Sequence, residues 1–243
     1  LSRNSTYWTL FAVDDILGTI LSIAVVAVPA ILAITLHEAA HGYAALNFGD
    51  PTAKEAGRLS LNPVRHIDPM GTIILPGILL LSSAPFLFGW AKPVPVNFGR
   101  LRSPRADMVW VALAGPGMNI GLAILSALLL HFVPENTGLT GAVIGTGLQY
   151  SIFINVILAV FNMIPLPPLD GGRVAVGLLP LPLARGLART EKYGIFLLLG
   201  VLIGLTWLGS AIGVGLNFFA GFILPIVDSV VNAITFLTGV TLD

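Results

Sequence analysis

Long apolar runs dominate the chain, and a helix needs about 20 mainly apolar residues to cross a bilayer core. Four runs meet that length or approach it, Ile16 to Leu46, Ala106 to Phe132, Leu148 to Ile164 and Phe218 to Leu237. A fifth, Ile195 to Leu208, spans only if it borrows residues from the flanking "EKYG" or "GSAIG". A sixth, Gly71 to Gly89, is long enough, but Pro76-Gly77 near its middle removes a helical hydrogen bond and favours a break. It reads as a segment that enters and returns on one side. "GRLSLNP", residues 57–63, alternates between a glycine and a proline and predicts a short interfacial strand. The expected fold class is an all-α polytopic membrane protein with about five to six transmembrane helices and a re-entrant segment or short interfacial strands. With no internal repeat and no stretch of ordinary soluble composition, residues 1–243 read as one membrane-embedded domain.

Composition supports the membrane reading. Hydrophobic residues make up 56% of the chain and charged ones 10%, against roughly 25% charged in soluble domains; mean hydropathy is +0.92. The formal net charge is zero and no block of like charge occurs, which argues against a nucleic-acid partner. Cysteine is absent, so any metal must be held by nitrogen and oxygen. Asp14 and Asp15 precede the first apolar run, which reads as a retained helix and not as a cleaved signal peptide. "RNSTYWTLFAVDD" before it fits either an interfacial amphipathic helix or the start of that span.

Lys and Arg gather in cytoplasmic loops. Here Lys54, Arg58 and Arg65 share one loop, Lys92, Arg100, Arg102 and Arg105 the next, and Arg173, Arg185, Arg189 and Lys192 a third. Val133 to Thr146 and Gly209 to Asn217 carry neither and are placed outside. The three basic loops share one side only if Gly71 to Gly89 makes no net crossing, which its Pro-Gly break allows.

Candidate chemistry sits inside the first run. "AITLHEAAHGYAAL" carries His37, Glu38 and His41 where polar groups are costly and are by default a functional hypothesis. The spacing of four in H-E-x-x-H returns both imidazoles to one helix face, where they can grip one metal ion, with Glu38 beside them to accept a proton from water. A catalytic zinc usually takes a third protein ligand and keeps an open position. Asp170 is the candidate, because "NMIPLPPLDGG" approaches it with three prolines and two glycines that force irregular backbone. Such backbone survives at membrane depth only inside protein or along a cavity; the competing reading makes Asp170 a helix cap in a surface turn. The first helix has climbed roughly 32 Å by His37 at 1.5 Å per residue, so the histidines and Asp170 arrive near the same cytoplasmic side.

"HEAAH", "AGPGMN" (Ala114 to Asn119) and "NMIPLPPLDGG" (Asn162 to Gly172), in that order, resemble the site-2 protease family of intramembrane zinc metalloproteases. The resemblance covers about Ile31 to Arg173, and "GRLSLNPVRHIDPMGT" with "FGWAKPVPVN" is similar to a compact prokaryotic branch without PDZ or CBS segments. It implies a three-helix catalytic core, one Zn2+ per chain held by His37, His41 and Asp170, and Glu38 as general base. It further implies a multi-pass cell-membrane endopeptidase cutting a transmembrane protein substrate, and the Lys and Arg asymmetry puts its site near the cytoplasmic face. Asn162 is then either a donor to substrate or oxyanion, or a partner in a helix-to-helix hydrogen bond. Asn119 is expected to pack and hydrogen-bond near the metal helix. His66 fits a solvated loop histidine, an auxiliary ligand or a gate, and His131 an interfacial position. Trp90 and Lys92 read as an interfacial anchor or the border of a substrate entrance, where an edge strand would accept an extended peptide. The alternative to a protease is a polytopic protein that binds or conducts metal ions or protons; such transporters often show inverted repeats, and none is visible. Oligomeric state is not written in the sequence.

Overall fold

A computed structural model describes residues 16–74, 77–78, 81, 91–134, 138–211 and 218–242. It is helical, and no strand occurs among the described residues. The expected strand at 57–63 is irregular chain leading into a 3-10 turn at Pro63–His66. The Asn62 side chain accepts the Val64 N–H there at 3.0 Å, and Pro63 has no N–H for a ladder. Most of Gly71 to Gly89, Trp90 and the segment before residue 16 lie outside the described residues. What is described of the first includes a π-helical turn at Pro69–Ile74.

We number the helices α1 (Ile16–Asn47), α2 (Thr52–Glu55), α3 (Pro104–Leu130), α4 (Gly138–Asn162), α5 (Asp170–Leu178), α6 (Leu181–Ala188), α7 (Gly194–Ala211) and α8 (Leu224–Thr238). Among the described residues four helices are long and apolar enough to cross a membrane: Ile20–Asn47, Pro104–Leu130, Gly138–Asn162 and Phe219–Thr238, the last including a π-turn that leads into α8. α4 begins ten residues earlier than the expected Leu148, because the glycines of "GLTGAVIGTG" suggest loop by soluble rules but are common in membrane helices. α7 reaches 18 residues by taking in Gly194 and Gly209 to Ala211, and it is not among those four.

α1, α3 and α4 pack against one another, with α8 against α3 and α4. Side-chain bonds fix their directions: residues 33, 37 and 41 of α1 pair with 119 and 111 of α3, and 119 and 126 of α3 with 155 and 151 of α4. α3 is therefore antiparallel to both neighbours. Its inner stripe, Val111, Gly115, Asn119, Ala123 and Ala127, recurs every fourth residue and is mostly small, which lets the backbones approach closely. Behind it, Ala123, Ala127, Ile152, Val156, Ile223 and Val227 form the apolar core shared with α8. The C-terminal ends of α1 and α4 and the N-terminal end of α3 thus meet at one end of the bundle.

Candidate active site

α1 carries His37 and His41 on one face, ten and six residues before its end, or roughly 15 and 9 Å inside that end of the bundle. Asp170 arrives from α4. The chain leaves α4 at Asn162, folds through 163–168 and starts α5 at Asp170, with Leu169 extended before it. Gly171 and Gly172 lie directly on this loop: a Cβ at Gly171 would stand 2.2 Å from the Met163 carbonyl oxygen, and one at Gly172 2.1 Å from the Pro167 nitrogen. Only glycines allow the first turn of α5 to sit there, and that holds the Asp170 carboxylate toward α1.

Three buried atoms converge. His37 Nε2 and His41 Nε2 are 3.1 Å apart, and each lies 3.2 Å from Asp170 Oδ2. Their protonation follows from their partners. His41 Nδ1 faces the Val111 carbonyl at 2.7 Å, which can only accept, so Nδ1 carries the hydrogen. His37 Nδ1 faces Asn119 Oδ1 at 2.5 Å, and the orientation of that amide is set at a distance. Asn155 Nδ2 donates to the Ser151 carbonyl at 2.8 Å, which leaves Asn155 Oδ1 to accept from Asn119 Nδ2 at 2.8 Å. Asn119 Oδ1 therefore accepts, and His37 Nδ1 donates. With the Nδ1 hydrogens so placed, each Nε2 can offer its lone pair toward Asp170 Oδ2, which is buried without a hydrogen-bond partner.

Three such ligand atoms facing one another at this depth form a group that could hold a cation. A tetrahedral zinc with bonds of about 2.0–2.1 Å holds its ligand atoms about 3.3–3.4 Å apart, close to the 3.1 and 3.2 Å found. The residues present fit such an ion, and the His37, His41 and Asp170 group is the metal-capable cluster found among the described residues. Gly115 of α3 closes one side: a Cβ there would lie 2.4 Å from His41 Nε2 and 2.6 Å from His37 Nε2. On the solvent side Arg173 approaches Asp170 Oδ1 at 3.8 Å and Glu191 at 3.9 Å, with its guanidinium 5.4 Å from the Phe98 ring centre.

The other sequence candidates fall as follows. Glu38 is half-buried on the adjoining face of α1, where its Oε2 accepts the Val94 N–H at 2.8 Å. Asn162 is not bonded to the cluster; its amide donates at 2.9 Å to the Leu158 carbonyl one turn back in its own helix. Asn119 is fully buried and bonds to His37 itself. His66 is not a solvated histidine: it is 2% exposed, bonded through Nε2 to the Ser60 carbonyl at 2.8 Å, and outside the metal-capable group. The 3-10 turn that carries it packs on α1 and draws it inside. His131, at the far end of α3, reaches the Thr238 carbonyl at 2.8 Å. Asn155 escaped the sequence reading, although an amide within the apolar "SIFINVILAV" was a signal of the kind that singled out α1. The Val111 carbonyl and the Val94 amide left no signal, being backbone groups.

The family model of peptidase family M50 matches residues 138–205, the stretch that runs from α4 through Asp170 into α7. YwhC of Bacillus subtilis, provisionally named a zinc metalloprotease, is 41% identical over 184 residues, covering 74% of this chain and 80% of its own. Rip2 of Mycobacterium tuberculosis strain H37Rv, named in the same provisional way, is 31% identical over 186 residues, covering 76% of this chain and 68% of its own. Rip2 of Mycolicibacterium smegmatis is 30% identical over 174 residues, covering 71% and 64%. No solved structure matches the chain. The chain belongs to peptidase family M50, the site-2 protease family, and is a membrane metalloprotease.

Proposed function

We propose that this chain is an intramembrane zinc endopeptidase that hydrolyses peptide bonds in or near the transmembrane segments of membrane-anchored proteins, the chemistry of regulated intramembrane proteolysis. The single observation that carries the reading is the convergence of three buried lone pairs, from His37, His41 and Asp170, about one to three helical turns inside one end of an apolar bundle. Those three side chains would hold one zinc ion. Zinc so held supplies a Lewis acid that polarises a scissile carbonyl and brings the pKa of water toward roughly 7.

The remaining work belongs to the chain. Glu38, next to His37, accepts the proton of the attacking water and passes it to the departing amine. Asn119 and Asn155 would keep the His37 Nε2 lone pair available to an ion held there, and the Val111 carbonyl would do the same for His41. A substrate helix must unwind locally before its carbonyl can reach this site, since a helical peptide group is already hydrogen-bonded. Asn162 would join as a donor to substrate or oxyanion only by exchanging its bond to Leu158.

The described Lys and Arg residues all lie in segments that follow α1, open α3 or follow α4. By the positive-inside tendency that end faces the cytoplasm, which supports a multi-pass cell-membrane enzyme with its site near the cytoplasmic face. The chain acts as one membrane-embedded protease domain. The test is zinc content of the detergent-purified protein together with cleavage of a model transmembrane substrate, in the parent, Asp170→Ala and Glu38→Gln. We expect about one zinc in the parent, less in Asp170→Ala, and zinc without cleavage in Glu38→Gln. Zinc retained in Asp170→Ala would overturn the ligand set, and cleavage by Glu38→Gln would overturn the mechanism.

A further inference from the structure

Residues 91–97, "AKPVPVN", cross the end of α1 as an irregular strap without a partner strand among the described residues. It is tied down along its length. The Lys92 N–H donates to the His66 carbonyl at 2.9 Å, and the Arg58 guanidinium donates to the Lys92 carbonyl at 2.8 Å and the Pro93 carbonyl at 3.4 Å. At the other end the Asn97 N–H donates to Asp50 Oδ2 at 2.6 Å. Asp50 is itself fully buried, and its other oxygen accepts the Thr52 N–H at 3.0 Å and the Thr52 hydroxyl.

Between these ties stands Val94. Its N–H donates to Glu38 Oε2 at 2.8 Å, and its side chain, 7% exposed, is seated over Gly42. A Cβ at Gly42 would lie 2.9 Å from Val94 Cγ1 and 2.6 Å from Leu59 Cδ2. Glu38 and Gly42 are one turn apart and share a face of α1, beside the face that carries His37 and His41. Pro93 and Pro95 have no N–H, so from 93 to 95 the strap offers one donor only, and that donor meets Glu38.

A carboxylate has two oxygens and about four lone-pair sites, so a bond at Oε2 leaves Oε1 open. A free glutamate would have to be oriented at every turnover, whereas a held one is already placed, and placement is a large part of catalysis. We infer that the 91–97 strap is a positioning device for the general base: the Val94 N–H, seated at Gly42, holds one oxygen of Glu38 so that the other faces the reacting water. This rests on Glu38 being the base, as proposed above. Val94 is a positioning residue, acting through its backbone.

The contact is tested first without turnover. Because Pro93 and Pro95 carry no amide hydrogen, a peptide covering 91–97 has few exchangeable amides, and loss of one protected hydrogen is resolvable by mass spectrometry. Glu38→Ala in the full-length detergent-solubilised protein is expected to deprotect about one amide in that peptide. Unchanged exchange would overturn the inference. The second test is Val94→Pro, which removes the N–H, against Val96→Pro, which places the same ring in the same strap away from Glu38. Val94→Pro should lower kcat about 10- to 100-fold with KM within about twofold and zinc content as in the parent, and Val96→Pro should lower kcat no more than about threefold. Equal losses in the two variants, or zinc lost along with kcat in Val94→Pro, would overturn it. If Val94→Pro does not fold, the exchange result decides. Cleavage surviving in Glu38→Gln with the amide contact intact would defeat the functional reading and leave the contact standing, so the two failures are separable.

Discussion

Replacing Asn119 by leucine removes the hub of the buried polar chain while keeping side-chain bulk nearly constant. Three bonds are lost: to His37 Nδ1 at 2.5 Å, to Asn155 Oδ1 at 2.8 Å and to the Ala33 carbonyl at 3.3 Å. The first two leave a buried donor and a buried acceptor without partners, at about 1–3 kcal/mol each. Asn119 is fully buried in an apolar bundle, so water is a poor substitute. The fold should therefore lose about 2–6 kcal/mol. The metal site is affected separately, because without Asn119 nothing fixes the hydrogen on His37 Nδ1, and removing such a partner typically costs 10–100-fold in metal affinity. The assay is competition between the protein and a chelator of known zinc affinity, run on detergent-solubilised Asn119→Leu that circular dichroism shows to be helical, with thermal unfolding alongside. A zinc affinity within twofold of the parent in a folded variant would refute the argument that Asn119 sets the state of His37.

Three other outcomes follow from the same geometry. Gly115→Ala would place a methyl group 2.4 and 2.6 Å from the two Nε2 atoms, so zinc measured by mass spectrometry should fall well below one per chain while the helical circular dichroism persists. His66→Leu leaves the Ser60 carbonyl without the bond it makes at 2.8 Å, and thermal unfolding should show a loss of about 1–3 kcal/mol with zinc content unchanged. For Asp50, burial works against ionisation, but the Thr52 hydroxyl and the amides of Asn97 and Thr52 outweigh it and hold the carboxyl below its ordinary 3.8. The stability it contributes is complete above that unfolded value and is lost as pH falls through the lower folded one. Asp50→Asn should thus flatten the acid limb of a stability-versus-pH curve, and an unchanged acid limb would count against the tie to Asn97.

Much of this architecture was legible because the membrane restricts the choices. The spans followed from apolar length, and His37, Glu38, His41 and Asp170 stood out because ionisable groups are costly in such surroundings. Where the reading slipped, packing decided: α4 starts ten residues before the expected Leu148, and His66, for which a solvated loop position was one reading, is buried against α1. The "GRLSLNP" segment has no partner strand among the described residues, and local alternation cannot supply one. Asn162 drew attention through its motif yet bonds within its own helix, while Asn155, in no motif, completes the link that determines which nitrogen of His37 is protonated. Those links are tertiary, between residues 36 and 82 positions apart, and no local pattern encodes them.

The spacing of the three candidate ligands along the chain governs how the site comes into being. His37 and His41 are neighbours on α1 and are available as soon as that helix is inserted, whereas Asp170 follows about 130 residues later, after α3 and α4 have been made. In a free chain, closing a loop of that length costs about 4 kcal/mol in configurational entropy, and here the bundle of α1, α3 and α4 performs the closure. A metal joining Asp170 to the histidines would then be a staple between α1 and the start of α5, fastened after the bundle has assembled. Chelation should slacken the loop at 163–168 and α5 before it disturbs α1, and a metal-free chain would remain inserted in the membrane, inert until loaded.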